Sequence, residues 1–129
     1  PMLTSFLQDM RFAGRLDFLE ESLIDAGCAV SGCGPAYMYL FAEALADGAV
    51  ACGLSRDKAM IYAAQTMAGA AAMLLETGKH PGALKDAACS PAGSTIEGVS
   101  ALEEGGFRAC AIRAVKAGFE KNRALGKKK

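Results

Sequence analysis

The chain has 129 residues, 14 basic and 14 acidic side chains that cancel to zero formal charge, and 52% hydrophobic residues. That length suits one domain with a core of its own, and the balanced charge excludes an electrostatic case for nucleic acid or an anionic membrane surface as partner. Glycine is abundant at 15, tryptophan is absent, and 26 alanines make up about a fifth of the chain; so many small residues let helices approach closely, or meet a second chain.

Residues 1–19 read as an atypical N-terminal segment. Residues 1–10 support a short helix on Leu3, Phe6 and Leu7, whereas Arg11 to Leu19 mixes charge and aromatics without a period. No basic segment followed by an apolar stretch and cleavage site marks a signal peptide. Residues 20–30 read as a modest helix on Leu23, Ile24, Ala26 and Val30, ended by the turn Ser31-Gly32-Cys33-Gly34. Pro35 then suits the first turn of a helix running to about Cys52. Glu43 and Asp47 lie four apart on it, so they share a face. Two acids on one face raise metal binding or acid–base work, but no histidine or third carboxylate lies near them in sequence, and a solvated or interfacial polar row is the expectation. No metal is expected.

Gly53 stands where a helix ends, Ser55 caps the next helix and Asp57 suits its first turn. That helix is predicted over 56–77, with Gly78 as its stop. It is apolar almost all round, through Met60, Ile61, Tyr62, Met67, Met73, Leu74 and Leu75. A helix without a polar face is buried on every side, and a small domain has little room for it. Part of this helix, or of 35–52, is therefore expected to be covered by another subunit. Its uncharged run, Ala59 to Leu75, falls short of the ~20 residues of a membrane span, so no membrane partner is expected.

His80-Pro81-Gly82 reads as a turn, with His80 as a turn or capping residue, and a short helix is expected over 82–88. Ala88-Cys89-Ser90-Pro91-Ala92-Gly93-Ser94-Thr95-Ile96-Glu97 is a small-residue loop entering a helix. Ser94 followed three residues later by Glu97 is a capping-box pattern. A helix start exposes unpaired N–H groups and partial positive charge, so an anion can bind there without a cationic side chain. Ser90, Ser94 and Thr95 add hydroxyls that can orient a small polar ligand. The helix after Ser94 is predicted to reach about Glu104, Gly105-Gly106 breaks it, and an amphipathic helix runs from Phe107 to Leu125. Lys127-Lys128-Lys129 reads as a basic tail. No strand is needed anywhere, and the fold class is all-α, a helical bundle. The five cysteines, Cys28, Cys33, Cys52, Cys89 and Cys110, form no metal spacing. Their odd number excludes a complete set of internal disulfides; free, buried thiols in a reducing cytoplasm are expected.

His80-Pro81-Gly82-Ala83-Leu84-Lys85-Asp86 and Ser90-Pro91-Ala92-Gly93-Ser94-Thr95-Ile96 resemble the pyrroline-5-carboxylate reductase family. The likeness continues in Leu102-Glu103-Glu104-Gly105-Gly106-Phe107-Arg108. Upstream it includes Ser31-Gly32-Cys33-Gly34-Pro35-Ala36-Tyr37 and Glu43-Ala44-Leu45-Ala46-Asp47-Gly48. It spans about residues 20–126, with the motifs in the family's order; residues 1–14 do not resemble the family. No glycine-rich dinucleotide fingerprint follows a strand. The chain thus resembles the C-terminal, helical dimerisation and substrate domain alone, with the Rossmann cofactor domain absent.

The resemblance implies a homodimer of interlocked helices, sometimes in larger rings. It implies a cytoplasmic enzyme of proline biosynthesis that reduces 1-pyrroline-5-carboxylate to L-proline with NADPH or NADH. It further implies that the loop matching 88–95 holds the substrate carboxylate through Ser90 and backbone N–H groups around Gly93, Ser94 and Thr95. Thr95 is then the catalytic candidate, oriented at the ring nitrogen. No cofactor is expected on this chain alone, which should be inactive by itself. Two other readings stand beside this one. A helical domain of another nicotinamide-dependent dehydrogenase would bring a catalytic lysine on a helix, a context that Lys58, Lys79 and Lys85 lack. A non-catalytic dimerisation module would keep the motif without binding proline.

Overall fold

The computed structural model describes residues 2–126, and within them every regular element is helical. Helix α1 spans Met2–Met10, a 3₁₀ turn Glu21–Leu23 leads into α2, Ile24–Ser31, and α3 follows at Gly34–Ala51. Helix α4 is Arg56–Thr77, α5 Pro81–Ala87, α6 Ser94–Glu104 and α7 Phe107–Gly126. The all-α expectation holds for these residues. The basic tail Lys127–Lys129 and Pro1 lie outside the described residues.

Each boundary follows from local chemistry. Pro35 sits in the first turn of α3, where its missing N–H costs nothing. Gly53 follows the cap of α3 with φ +99°, and Gly78 ends α4 in the left-handed region at φ +61°; both are conformations that a side chain resists. Ser55 is the N-cap of α4 by backbone geometry, and Asp57 lies in its first turn. The helix expected over 20–30 is split, because Glu21–Leu23 wind in the tighter 3₁₀ form before α2 begins.

Packing is confined to a few pairs. Helix α3 lies on α4, α2 on α7 and α3, and α6 on α7. Small residues make these approaches possible: the buried side chains are Ala29, Ala46, Ala59 and Ala63. Ala46, Ala59 and Ala63 form the seam of the α3–α4 hairpin, flanked by Ala49, Val50 and Leu54. A Cβ on Gly118 would lie 3.2 Å from the Tyr37 hydroxyl, 3.6 Å from Cys33 Sγ and 3.7 Å from Ala29 Cβ, so glycine sets how closely α7 meets α2 and α3. The Tyr37 hydroxyl donates to the Ala114 carbonyl at 3.2 Å, and the Asn122 amide to the Asp25 carbonyl at 3.5 Å. Phe41 and Phe107 meet with ring centroids 5.3 Å apart.

None of the large apolar side chains among the described residues is buried, and many are exposed. Leu40 is 69% exposed, Ile61 64%, Tyr62 59% and Leu75 76%. The chain exposes 10336 Å² for 13.3 kDa, where a compact monomer of that mass exposes about 6,500 Å². The length suggested a domain with its own core; the helices instead form an open frame with an alanine seam. The thiols are corrected in the same way. All five cysteines are free, but Cys28, Cys52 and Cys110 are exposed and Cys33 and Cys89 only half-buried.

Candidate substrate loop

The loop is framed by α5 and α6. His80 caps α5: its Nδ1 accepts the Gly82 N–H at 3.0 Å, the capping role expected of it. The chain leaves α5 through a turn in which the Cys89 N–H donates to the Asp86 carbonyl at 3.1 Å. Lys85 pairs with Asp86 beside it. That hydrogen bond raises the Lys85 ammonium above its ordinary value, helped by the charge of Asp86 and by Cys89 and opposed by burial and by Arg108. Arg108, at the start of α7, pairs with Glu103 near the end of α6.

Ser90 to Gly93 then make a tight turn, closed by the Gly93 N–H donating to the Ser90 carbonyl at 3.1 Å. Proline at its second position and Ala92 at φ +55° in its third form the type II pattern. Gly93 is extended, with φ −82° and ψ 164°, and is the residue that caps α6. A Cβ there would lie 2.3 Å from Ser90 Oγ and 3.1 Å from its carbonyl. The Ser90 hydroxyl therefore occupies the space that Gly93 leaves open at the helix start.

This geometry corrects the capping box. Gly93, not Ser94, is the N-cap, and no side chain caps the helix. Ser94 is the first helical residue, so Glu97 is the fourth, and its N–H is the first to find a helical partner, the Gly93 carbonyl at 3.5 Å. The N–H of Gly93 is taken by the turn, which removes it from the expected anchoring groups. The N–H groups of Ser94, Thr95 and Ile96 are those that the helix leaves without an internal partner, and the helix dipole favours an anion before them. Ser90, Ser94 and Thr95 are exposed, and Gly93 and Ile96 half-buried. The four sequence-predicted residues thus stand together by chain continuity, not by tertiary folding.

The larger grooves lie elsewhere, one apolar and one mixed. One of about 660 Å³ is lined by Val30, Met38, Leu40, Phe41, Phe107 and Val115, among others, between α2, α3 and α7. A second runs along α3 and α4 past Leu40, Glu43, Asp47 and Met60. Asp47 is paired with Arg56 there, so it and Glu43 form the polar row expected of them. Among the described residues, no three side chains of the metal-ligating kinds cluster, and no helix is long and apolar enough to cross a membrane. Sequence reading missed Arg56 as the partner of Asp47, and Ala92 as the left-handed residue. The second carried no clear signal, because proline at the second position suits type I and type II turns alike and Ala92 is not the glycine that a type II turn favours.

Comparison with known proteins bears on the same stretch. The family model described as pyrroline-5-carboxylate reductase dimerisation matches residues 21–125. Pyrroline-5-carboxylate reductase of Escherichia coli (strain K12) is 49% identical over 121 residues, 94% of this chain and 45% of the relative. That of Glycine max is 52% identical over 112 residues, 87% of this chain and 41% of the relative. Among solved structures, Plasmodium falciparum pyrroline carboxylate reductase with NADP bound matches with a TM-score of 0.83 at 39% identity, over 88% of this chain and 46% of that one. A 1-pyrroline-5-carboxylate reductase from Streptococcus pyogenes matches with a TM-score of 0.82 at 35% identity, over 86% of this chain and 43% of that one. The chain spans less than half the length of these relatives.

Proposed function

This chain belongs to the pyrroline-5-carboxylate reductase dimerisation family, and we propose that it forms the substrate-holding and dimerising part of an enzyme that reduces 1-pyrroline-5-carboxylate to L-proline. The observation that carries the reading is the helix start at Ser94, with N–H groups free for an anion, inside a family whose relatives are named for a carboxylate substrate. In this reading the N–H groups of Ser94, Thr95 and Ile96, with the hydroxyls of Ser90 and Ser94, hold the carboxylate. Gly93 contributes space for Ser90. Thr95, exposed in the first turn of α6, turns its hydroxyl to the ring nitrogen and is the catalytic residue.

Little more is required of the side chains. A protonated cyclic imine is already electrophilic, and anchoring its carboxylate fixes the ring face presented to a donor. NADPH or NADH would supply the hydride. The described residues contain no strand and no glycine-rich turn joining a strand to a helix, so they do not fit a dinucleotide site of that kind. The proposal places the nucleotide on the part of the relatives that this chain does not span. It divides the described chain into a lead-in, 2–19, and the helical domain, 20–126, and sets the enzyme in the cytoplasm.

A second copy of the chain completes the domain. The surface beyond that of a compact monomer, roughly 4,000 Å² per chain, exceeds the roughly 1,000–2,500 Å² per partner that obligate homodimers commonly bury, so the chain has ample area for a second copy to cover. The apolar groove between α2, α3 and α7, the mixed groove along α3 and α4, and the exposed face of α4 offer the area.

L-Proline titrated into the chain, followed by amide chemical shifts, tests the carboxylate site. Shifts centred on Ser94, Thr95 and Ile96 are expected, and none there would sink it. Thr95→Val, in the chain joined to the nucleotide-binding part of a relative, is expected to lower kcat more than ten-fold by the size of a lost charge-assisted contact, with helical content intact. Unchanged turnover removes Thr95 from the mechanism.

A further inference from the structure

We propose that Ala92 is a positioning residue: its left-handed backbone sets how often the Ser90–Gly93 turn is closed, and so how tightly the helix start behind it takes a carboxylate. The inference rests on the carboxylate reading of the loop. Ala92, at φ +55°, is the one non-glycine residue with positive φ among the described residues. The turn around it is closed by one hydrogen bond, from the Gly93 N–H to the Ser90 carbonyl, and Ser90, Pro91 and Ala92 are all exposed. Nothing buried holds it shut. One hydrogen bond between exposed Ser90 and half-buried Gly93 and the penalty of an L-residue in the left-handed region are of the same size, so an open turn would be populated beside the closed one.

The closed turn has the extended Gly93 that starts α6 and the Ser90 hydroxyl lodged against it. A ligand that needs these groups together binds the closed form alone. Its apparent dissociation constant is then the intrinsic one divided by the closed fraction. Glycine at 92 removes the left-handed penalty; a β-branched residue raises it. The residue acts on affinity without touching the ligand.

The test is L-proline titration of the chain and its Ala92→Gly and Ala92→Val variants, read by amide shifts, with hydrogen exchange at the Gly93 amide in the ligand-free proteins. Glycine is expected to tighten binding by up to about two-fold and valine to weaken it by about three-fold or more, with Gly93 exchange slowest in the glycine variant and fastest in the valine variant. A parent that binds proline with equal affinity in all three overturns the inference and leaves the substrate reading standing. A series that moves the melting temperature but not the affinity assigns Ala92 a structural role only, and also overturns it. A parent that fails to bind proline overturns both.

Discussion

Gly93 does its work by what it lacks. With Ser90 Oγ 2.3 Å from where a Cβ would sit, and the Ser90 carbonyl at 3.1 Å, Gly93→Ala must expel the hydroxyl and strain the turn. Helical content should persist while proline affinity falls about ten-fold or more, the scale of losing a hydrogen bond to a charged ligand; calorimetric titration beside circular dichroism reads both. Tyr37 is the complementary case, a polar group placed by packing. Burial against its surroundings, then the neighbouring Cys33 thiol, push its phenol above the ordinary 10.0. The folded chain therefore holds this proton more firmly than the unfolded one. Its contribution to stability is complete below about pH 10 and is lost as pH rises through the folded value. Tyr37→Phe should lower the melting temperature at neutral pH, because the bond to the Ala114 carbonyl is gone, and should flatten the decline above pH 10. A parallel pH–stability curve for parent and variant would refute the assignment.

At the scale of elements, small residues decide what can touch. The α3–α4 seam is alanine on alanine, and α7 reaches α2 and α3 over Gly118. Gly118→Val should place methyl groups against Tyr37 and Cys33, separate α7 from its neighbours, and cost about 1–3 kcal/mol by overpacking, measured by urea unfolding. An unchanged midpoint would mean that α7 does not seat there in solution. Helix limits rest on equally local causes: Pro35 and Pro81 in first turns, Gly78 left-handed at the end of α4. Glu97 was misread for want of one dihedral. The pattern Ser-x-x-Glu is compatible with Ser94 as cap or as first helical residue, and only the extended backbone of Gly93 chooses between them.

For the whole molecule, the governing fact is surface. Leu40 lines both grooves yet is 69% exposed within one chain. In a monomer, Leu40→Glu would be harmless. If a second copy covers it, the variant leaves an unpaired charge in an apolar interface, a cost of several kcal/mol. Light scattering should then show the mass fall from dimer toward monomer, and the melting temperature should drop with it. The parent's melting temperature should rise with protein concentration, as for any fold completed by association. A monomeric parent, or a variant unchanged in both readings, would remove the grooves from the interface.

The sequence alone determined the helices, most of their ends and the position of the candidate loop, because each depends on neighbours within a few residues: caps, prolines, glycines and apolar period. It also identified α4 as too apolar for a small monomer, since composition over one helix is enough to see that. Tertiary structure decided which helices meet, that Asp47 answers Arg56, that Tyr37 reaches Ala114 across 77 residues, and that the alanines rather than the leucines are buried. Those outcomes depend on distances between segments far apart in the chain. Backbone direction at Ala92 and Gly93 belongs with them, because a dihedral angle is settled by the loop's whole path between α5 and α6 and not by the identity of the residue that bears it.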